Sequence, residues 1–247
     1  MRVAVLSDVH SNLPALEAVL EAVEKTGVDQ LWCLGDLVGY GADPDACTAL
    51  VRERSEVCLV GNHDLAVLGE LDVSAFSETA KAAVEWTRGV ASEETIGFLG
   101  GLEPALDHDG FGLFHASPRD PIWEYVLSID QAEAGLDAQE QRIGLIGHSH
   151  VALFFTRPRG RPRPGYAHGA QAGDGALLDI VDGAWLINPG SVGQPRDGDP
   201  RAAWVELDTD EWTARFHRVP YDIAAAAGSI LAAGLPEALA ERLAIGR

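Results

Sequence analysis

The chain has 247 residues, 47% hydrophobic and 23% charged, with 38 acidic against 18 basic side chains and a net charge of −20. That length can bury a substantial core, and no apolar run approaches the roughly 20 residues needed to span a bilayer. So strong an acidic excess argues against a general surface that coats nucleic acid, which requires clustered Lys and Arg.

In chain order, residues 3–7 predict a buried strand and 13–26 a helix with Leu13, Leu16, Leu20 and Val23 on one face, stopped at Gly27. A second strand at 30–34 ends on Gly35-Asp36. A helix over about 44–54 opens with Asp43-Pro44, and a third strand at 56–60 ends on Gly61-Asn62. This alternation argues for βαβ units and a parallel or mixed sheet. Residues 74–102 carry a helical pattern, and short strands follow at 111–115 and 142–147. The rest is β-rich, at 151–156, 176–181, 184–188, 201–207 and 212–219, before helical segments at about 221–233 and 236–244. The Arg/Pro-rich stretch 157–165 reads as a long hairpin loop, solvated rather than a phosphate-handling arm. No linker divides the chain, so one domain over 1–247 is expected. The N-terminus turns acidic too soon for a signal peptide, which suggests a cytoplasmic setting. Cys33, Cys47 and Cys58 lack CxxC spacing and read as buried free thiols.

Four short motifs follow apolar runs, where buried strands would end. They are Asp8-Val9-His10, Gly35-Asp36, Gly61-Asn62-His63-Asp64 and Gly147-His148-Ser149-His150. Asp-x-His or Gly-Asp alone is weak, since either serves as ordinary turn chemistry. Two histidines two residues apart at a strand end are poor core residues, because each would bury an unsatisfied nitrogen. Carboxylates and imidazoles gathered from several segments suit a divalent metal. His115, after Phe111-Gly112-Leu113-Phe114, would alone read as structural, as do His108, His168 and His217. Asn12 is expected to cap the following helix, and Asp64 either caps a helix before Leu65 or orients His63. Arg119 and Arg196 are candidates for phosphate contact, although such loop arginines more often pair with acids or backbone. Tyr40, Trp123 and Tyr125 either line a pocket or pack; the last two could stack a base.

The order and spacing of these motifs resemble the calcineurin-like metallophosphoesterase superfamily, and within it the small bacterial and archaeal predicted phosphodiesterases. Asn188-Pro189-Gly190-Ser191-Val192-Gly193-Gln194-Pro195-Arg196 looks like a further element of those members. Ser149 stands where Thr is frequent. The resemblance implies a four-layer α-β-β-α sandwich of two mixed sheets with helices on the outer faces. It implies two divalent metal ions, manganese first, with iron, zinc or nickel as alternatives. Asp8, His10, Asp36 and His150 would hold one ion; Asp36, Asn62, His115 and His148 would hold the other, with Asp36 bridging. A metal-bridging hydroxide would attack the phosphate of a small phosphoester, a nucleotide among the candidates. His63, oriented by Asp64, would assist the leaving group, and Asn62, His63 and Arg196 would contact substrate. A phosphodiesterase is the expected activity. A phosphomonoesterase or protein phosphatase, a dinucleoside polyphosphate hydrolase and a non-catalytic metal-binding scaffold are the alternatives.

Overall fold

The computed structural model describes residues 1–158 and 167–247. Its first half alternates strand and helix: β1 (Arg2–Leu6), α1 (Leu13–Thr26), β2 (Gln30–Cys33), α2 (Pro44–Arg54), β3 (Val57–Cys58) and α3 (Asn62–Leu68). Helices α4 (Glu78–Val90) and α5 (Glu93–Leu99) follow, then β4 (Ala105–His108), β5 (Phe111–Phe114), α6 (Ile129–Ala138) and β6 (Ile143–Ile146). The second half is mostly strand: β7 (Ala152–Arg157), β8 (His168–Gln171), β9 (Leu177–Asp179), β10 (Ala184–Pro189), β11 (Ala202–Asp208) and β12 (Thr213–Val219). Helices α7 (Ile223–Ala232) and α8 (Glu237–Glu241), with a 3-10 turn at Arg242–Ile245, close the chain.

The strands form two mixed sheets of six, ordered β3-β2-β1-β11-β12-β9 and β4-β5-β6-β10-β7-β8. In the first, β1, β2 and β3 run parallel; in the second, β5, β6 and β10 do. Strand alternation explains the layering. Val3 and Val5 of β1 face the other sheet, where they meet Phe111, Leu113, Leu145 and Ile187. Ala4 and Leu6, one residue out of phase, pack under α1 and α2 with Leu16, Val19 and Val51. On the far side, Leu136 and Ala132 of α6 cover Ile146, Leu153 and Leu186. This is the expected α-β-β-α sandwich. A third helical cluster joins α4 to α7 and α8 through Ala80, Ala83, Ile230 and Leu239, and it includes Tyr40.

Several expectations need correction. The third strand is shorter than 56–60, since Leu59 and Val60 bond to Cys33 and Glu103 outside the ladder. The helical stretch 74–102 breaks into two helices at Ala91-Ser92, where Ser92 caps the second. Strands β4 and β8 and helix α6 were not anticipated, and α3, offered as one reading of Asp64 with a start at Leu65, begins at Asn62. Of the cysteines, Cys33 and Cys47 are buried, whereas Cys58 is partly exposed; all three are free. Strands β7 and β8 pair antiparallel around the Arg/Pro-rich stretch. Arg157, the first residue of that predicted loop, belongs to β7, and its residues 159–165 lie outside the described residues. Among the described residues no helix is long and apolar enough to cross a membrane.

Candidate metal centre

The parallel strands of both sheets release their C-terminal loops on one side, the edge where α/β sheets bind ligands. Asp8 and His10 follow β1, Asp36 follows β2, Asn62 and His63 follow β3, His115 follows β5, and His148 and His150 follow β6. The loops are laced by backbone hydrogen bonds. Those from Asp8 N to Gly35 O (3.0 Å), His10 N to Asp36 O (3.0 Å) and Ser11 N to Leu37 O (2.9 Å) zip the first two together. Gly147 N donates to His115 O (2.8 Å), and Gly193 N to Asp8 O (2.9 Å). The lacing forces uncommon backbone. Asp8, His10, Asp36, His148 and His150 all lie at φ between 49° and 62°. Each costs on the order of 1 kcal/mol or more, the kind of strain found at functional sites. Gly61 has no freedom to be anything else, since a Cβ there would sit 2.1 Å from Asp36 Oδ1.

These loops bring together every predicted ligand. The ligand atoms of Asp8, His10, Asp36 and His150 lie within 4.8 Å of one another, and so do those of Asp36, His115 and His148. Asp36 belongs to both groups. Asn62 Oδ1 is 3.2 Å from His115 Nε2, which places it with the second.

Whether the residues fit cations can be tested on their free atoms. His10 Nδ1 lies 3.0 Å from Val38 O, His115 Nδ1 2.9 Å from Leu34 O, and His150 Nδ1 2.6 Å from Gln194 O. A carbonyl only accepts, so each Nδ1 carries the proton and a neutral ring points a bare Nε2 inward. His10 Nε2 and His150 Nε2 then face each other at 3.1 Å, two lone pairs that attract only across a cation. The carboxylates follow the same plan. Asp8 Oδ2 accepts from His148 N (3.1 Å) and Asp36 Oδ1 from His63 N (2.8 Å). Their other oxygens, Asp8 Oδ1 and Asp36 Oδ2, are buried without a partner, as is His148 Nε2. Buried polar atoms without partners are rare, and here they converge. The donor set fits two divalent cations sharing Asp36.

Burial sets the protonation of the same groups. It raises Asp8 to about 7 and holds Asp36 well above the usual carboxylate range. It pushes His10, His63 and His150 well below the ordinary imidazole value, and His148 to about 2. Neutral imidazoles are ready to ligate, whereas the acids need a cation to ionise them.

His63 stands beside the ligands. Its ring packs edge-on to His10 (4.9 Å between ring centres) and against Tyr40 (4.3 Å), with Nδ1 buried and unpartnered. Gly39, at φ 86°, makes room for it; a Cβ there would sit 2.5 Å from that nitrogen. Asp64 does not meet His63. Its carboxylate accepts from Val38 N and Gly61 N, each at 3.0 Å. The expected orienting pair is therefore absent. Nor is Asp64 the N-cap before Leu65: Gly61 is the cap of α3, and Asp64 reaches back to it from the third helical position. Asn12 does cap α1, accepting from Ala15 N (3.2 Å), and its amide also reaches Gly193 O (2.8 Å).

An open cleft of about 240 Å³ lies over the centre. Its rim has two arcs. One is aromatic: Phe76 meets His63 and Trp123 edge-on, and Tyr125 stacks on His148 with ring centres 4.2 Å apart while remaining 40% exposed. The other is basic: Arg196 bonds Tyr40 Oη (3.3 Å) and Gln194 Oε1 (2.9 Å), and Arg242 lies over the same tyrosine ring. Arg242 was not anticipated; a lone Arg in an Ala/Leu-rich helical segment carries no local sign of such a place. Arg119 pairs with Glu124 and does not line the cleft. Of the other histidines, His108 packs on Trp32, His217 stacks on Trp204, and His168 is exposed on β8.

The family model described as the calcineurin-like phosphoesterase superfamily domain matches residues 1–210. The chain is 37% identical over 250 residues to an uncharacterized protein of Methanocaldococcus jannaschii, MJ0912, covering 99% of this chain and 98% of that one. The crystal structure of a metallophosphoesterase from Sphaerobacter thermophilus superposes with a TM-score of 0.89 at 38% identity, covering 100% of this chain and 99% of the other. The hypothetical protein PH1004 from Pyrococcus horikoshii OT3 shares the fold, with a TM-score of 0.79 at 22% identity and coverage of 100% and 98%.

Proposed function

Because the chain belongs to the calcineurin-like phosphoesterase superfamily, we propose that it hydrolyses phosphate esters with two divalent cations, and prefers phosphodiesters. The observation that carries this reading is the pair of ligand clusters meeting at Asp36. When bound, two such cations supply an activated water and compensate charge on a phosphate undergoing in-line displacement. The first would take Asp8, His10, Asp36 and His150; the second Asp36, Asn62, His115 and His148. Manganese is the first candidate, consistent with mixed carboxylate, amide and imidazole donors.

The chain's own residues do the rest. The carbonyls of Val38, Leu34 and Gln194 hold three imidazoles in one tautomer and aim them. His63 stands at the mouth of the centre and would give a proton to the leaving oxygen. Asp64 acts at one remove, by fixing the turn that carries Asn62 and His63. Arg196 would hold a phosphate oxygen through its planar fork. The preference for diesters is supported by the cleft, whose lining offers both aromatic and basic side chains to an ester substituent. The aromatic wall of Phe76, Trp123 and Tyr125 suits a nucleobase. The site draws on residues from Asp8 to Arg242, which supports reading 1–247 as one domain. The free thiols of Cys33 and Cys47 fit a reducing, cytoplasmic setting.

The test is Mn²⁺-reconstituted hydrolysis of bis-p-nitrophenyl phosphate beside p-nitrophenyl phosphate, with Asp36→Ala in parallel. Diester turnover that is faster than monoester turnover and lost in the variant is expected. Faster monoester turnover would overturn the preference. No turnover of either ester by metal-loaded protein would favour the scaffold alternative.

A further inference from the structure

Residues 211–247 lie beyond the span matched by the family model, yet they contribute to the cleft. Helix α7 packs on α1, Ile230 of α7, Leu239 of α8 and Leu243 of the closing turn share a cluster with Ala80 and Ala83 of α4, and that turn brings Arg242 to the rim. The guanidinium carbons of Arg196 and Arg242 lie 5.6 Å and 5.9 Å from the centre of the Tyr40 ring.

The chain has 38 acidic side chains, and several of its other arginines use them: Arg119 pairs with Glu124, Arg157 with Glu133, Arg201 with Asp199, and Arg218 with Asp197. Among the described residues neither Arg196 nor Arg242 has an Asp or Glu side chain within ion-pair distance. Arg196 leaves its Nε buried without a partner, and Arg242 turns its Nε to the oxygen of the last residue, Arg247, which leaves its two terminal nitrogens without a hydrogen bond among the described residues. The two cations also repel: after burial, the Arg196 charge is the largest influence lowering the Arg242 guanidinium. Two half-buried guanidiniums that lack an Asp or Glu partner and face one cleft invite an anion between them.

We propose that Arg196 and Arg242 form a second anion subsite beside the metal centre, which selects phosphoesters bearing a further phosphate next to the scissile one. This rests on the phosphoesterase reading above and names the substrate class of that site. Tyr40, which offers its hydroxyl to Arg196 and its ring to both, is the shared platform. The reacting phosphate would lie at the metal centre within reach of Arg196, while Arg242 together with Arg196 holds its neighbour. A simple diester would leave Arg242 unused.

The experiment is competitive inhibition of bis-p-nitrophenyl phosphate hydrolysis by inorganic pyrophosphate and by inorganic phosphate. It is run at fixed free Mn²⁺ in the wild type and in Arg242→Gln. In the wild type pyrophosphate is expected to bind at least about tenfold more tightly than phosphate, on the scale of a charge-assisted contact. In Arg242→Gln the ratio should fall to within about threefold, with a cooperative melt retained. If that variant is unstable, Arg242→Lys gives the same reading: an intermediate ratio is expected, and an unaltered one overturns the proposal. Diester turnover with no pyrophosphate preference in the wild type, or with a preference that survives in Arg242→Gln, overturns the subsite alone. No turnover of bis-p-nitrophenyl phosphate or p-nitrophenyl phosphate by metal-loaded wild type overturns the phosphoesterase reading and the subsite with it.

Discussion

The floor of the cleft and its rim are built on opposite plans. On the floor, side chains that converge are pinned by backbone: Asp8 by His148 N, Asp36 by His63 N, and three imidazoles by the carbonyls of Val38, Leu34 and Gln194. On the rim, Phe76, Trp123, Tyr125, Arg196 and Arg242 are held mainly by one another and stay partly open to solvent. Cation binding needs donors fixed before the ion arrives, so the floor carries backbone strain and unpaired atoms. Recognition tolerates more freedom. Changes to the floor should therefore abolish chemistry, and changes to the rim should redistribute it among substrates.

The largest effect is expected at the shared carboxylate. Asp36→Asn should lower diester turnover by about a thousandfold or more, beyond the usual loss of one preorganised electrostatic element. The same variant should leave the metal-free protein as stable as the wild type or more so, because it removes a buried acid oxygen that has no partner. A lower metal-free melting temperature would show that Asp36 serves the fold. His63→Ala comes next, with a loss of about 10²-fold in kcat and unchanged metal content. Loss of bound metal would make His63 a ligand and contradict its place beside the floor.

A third prediction concerns the loop behind Arg196. Arg218 and Asp197 form a buried ion pair, and Asp197 also accepts from Ala152 N (3.1 Å). Asp197→Ala should cost about 3 kcal/mol in unfolding free energy, because it strands a buried guanidinium. A loss below about 1 kcal/mol would mean the loop is held otherwise.

The floor also predicts a pH dependence. In the metal-free protein Asp8 is raised from 3.8 to about 7. Its contribution to stability is full below 3.8 and is lost as pH rises through 7. The imidazoles of His10 and His150 are held neutral, so theirs is present above the unfolded value of 6.5 and lost as pH falls. Bound cations keep Asp8 ionised and so release its proton below about pH 7. The rise in melting temperature on adding Mn²⁺ should therefore grow from about pH 5.5 to about pH 7.5. A rise that stays flat over that range would contradict the assignment of Asp8.

The smallest effect belongs to the aromatic arc. Tyr125→Ala should cost about tenfold in kcat/KM for a base-bearing diester and much less for bis-p-nitrophenyl phosphate. Equal losses for both would make Tyr125 a support for His148 instead of a base platform.

The same contrast explains what could be read from the sequence. A ligand that must leave a parallel strand at its C-terminal end sits directly after an apolar run, so Asp8, Asp36, Asn62 and His148 are marked locally. His115 is not marked by its own surroundings and becomes a candidate only through the family pattern. The partners that aim the rings are backbone carbonyls, and backbone has no letter in a sequence. Arg242 reaches the cleft because α7 folds back on α1 and the closing turn joins a cluster with α4, a tertiary event with no short signature. The missed strands have a similar cause. β4 and β8 are the edges of their sheet, and all four residues of β8 are exposed, so neither has a buried face to reveal it. In α6, Gly135 packs closely on Leu186, and that fit replaced the bulkier apolar residue a helical pattern would show.

The most direct test of the two-cation floor is metal stoichiometry, measured by elemental analysis after Mn²⁺ loading and gel filtration of wild type and Asp36→Asn. The account predicts about two equivalents per chain in the wild type and fewer than one in the variant, since both clusters lose their common ligand. A single equivalent in the wild type, or two retained in Asp36→Asn, would contradict it.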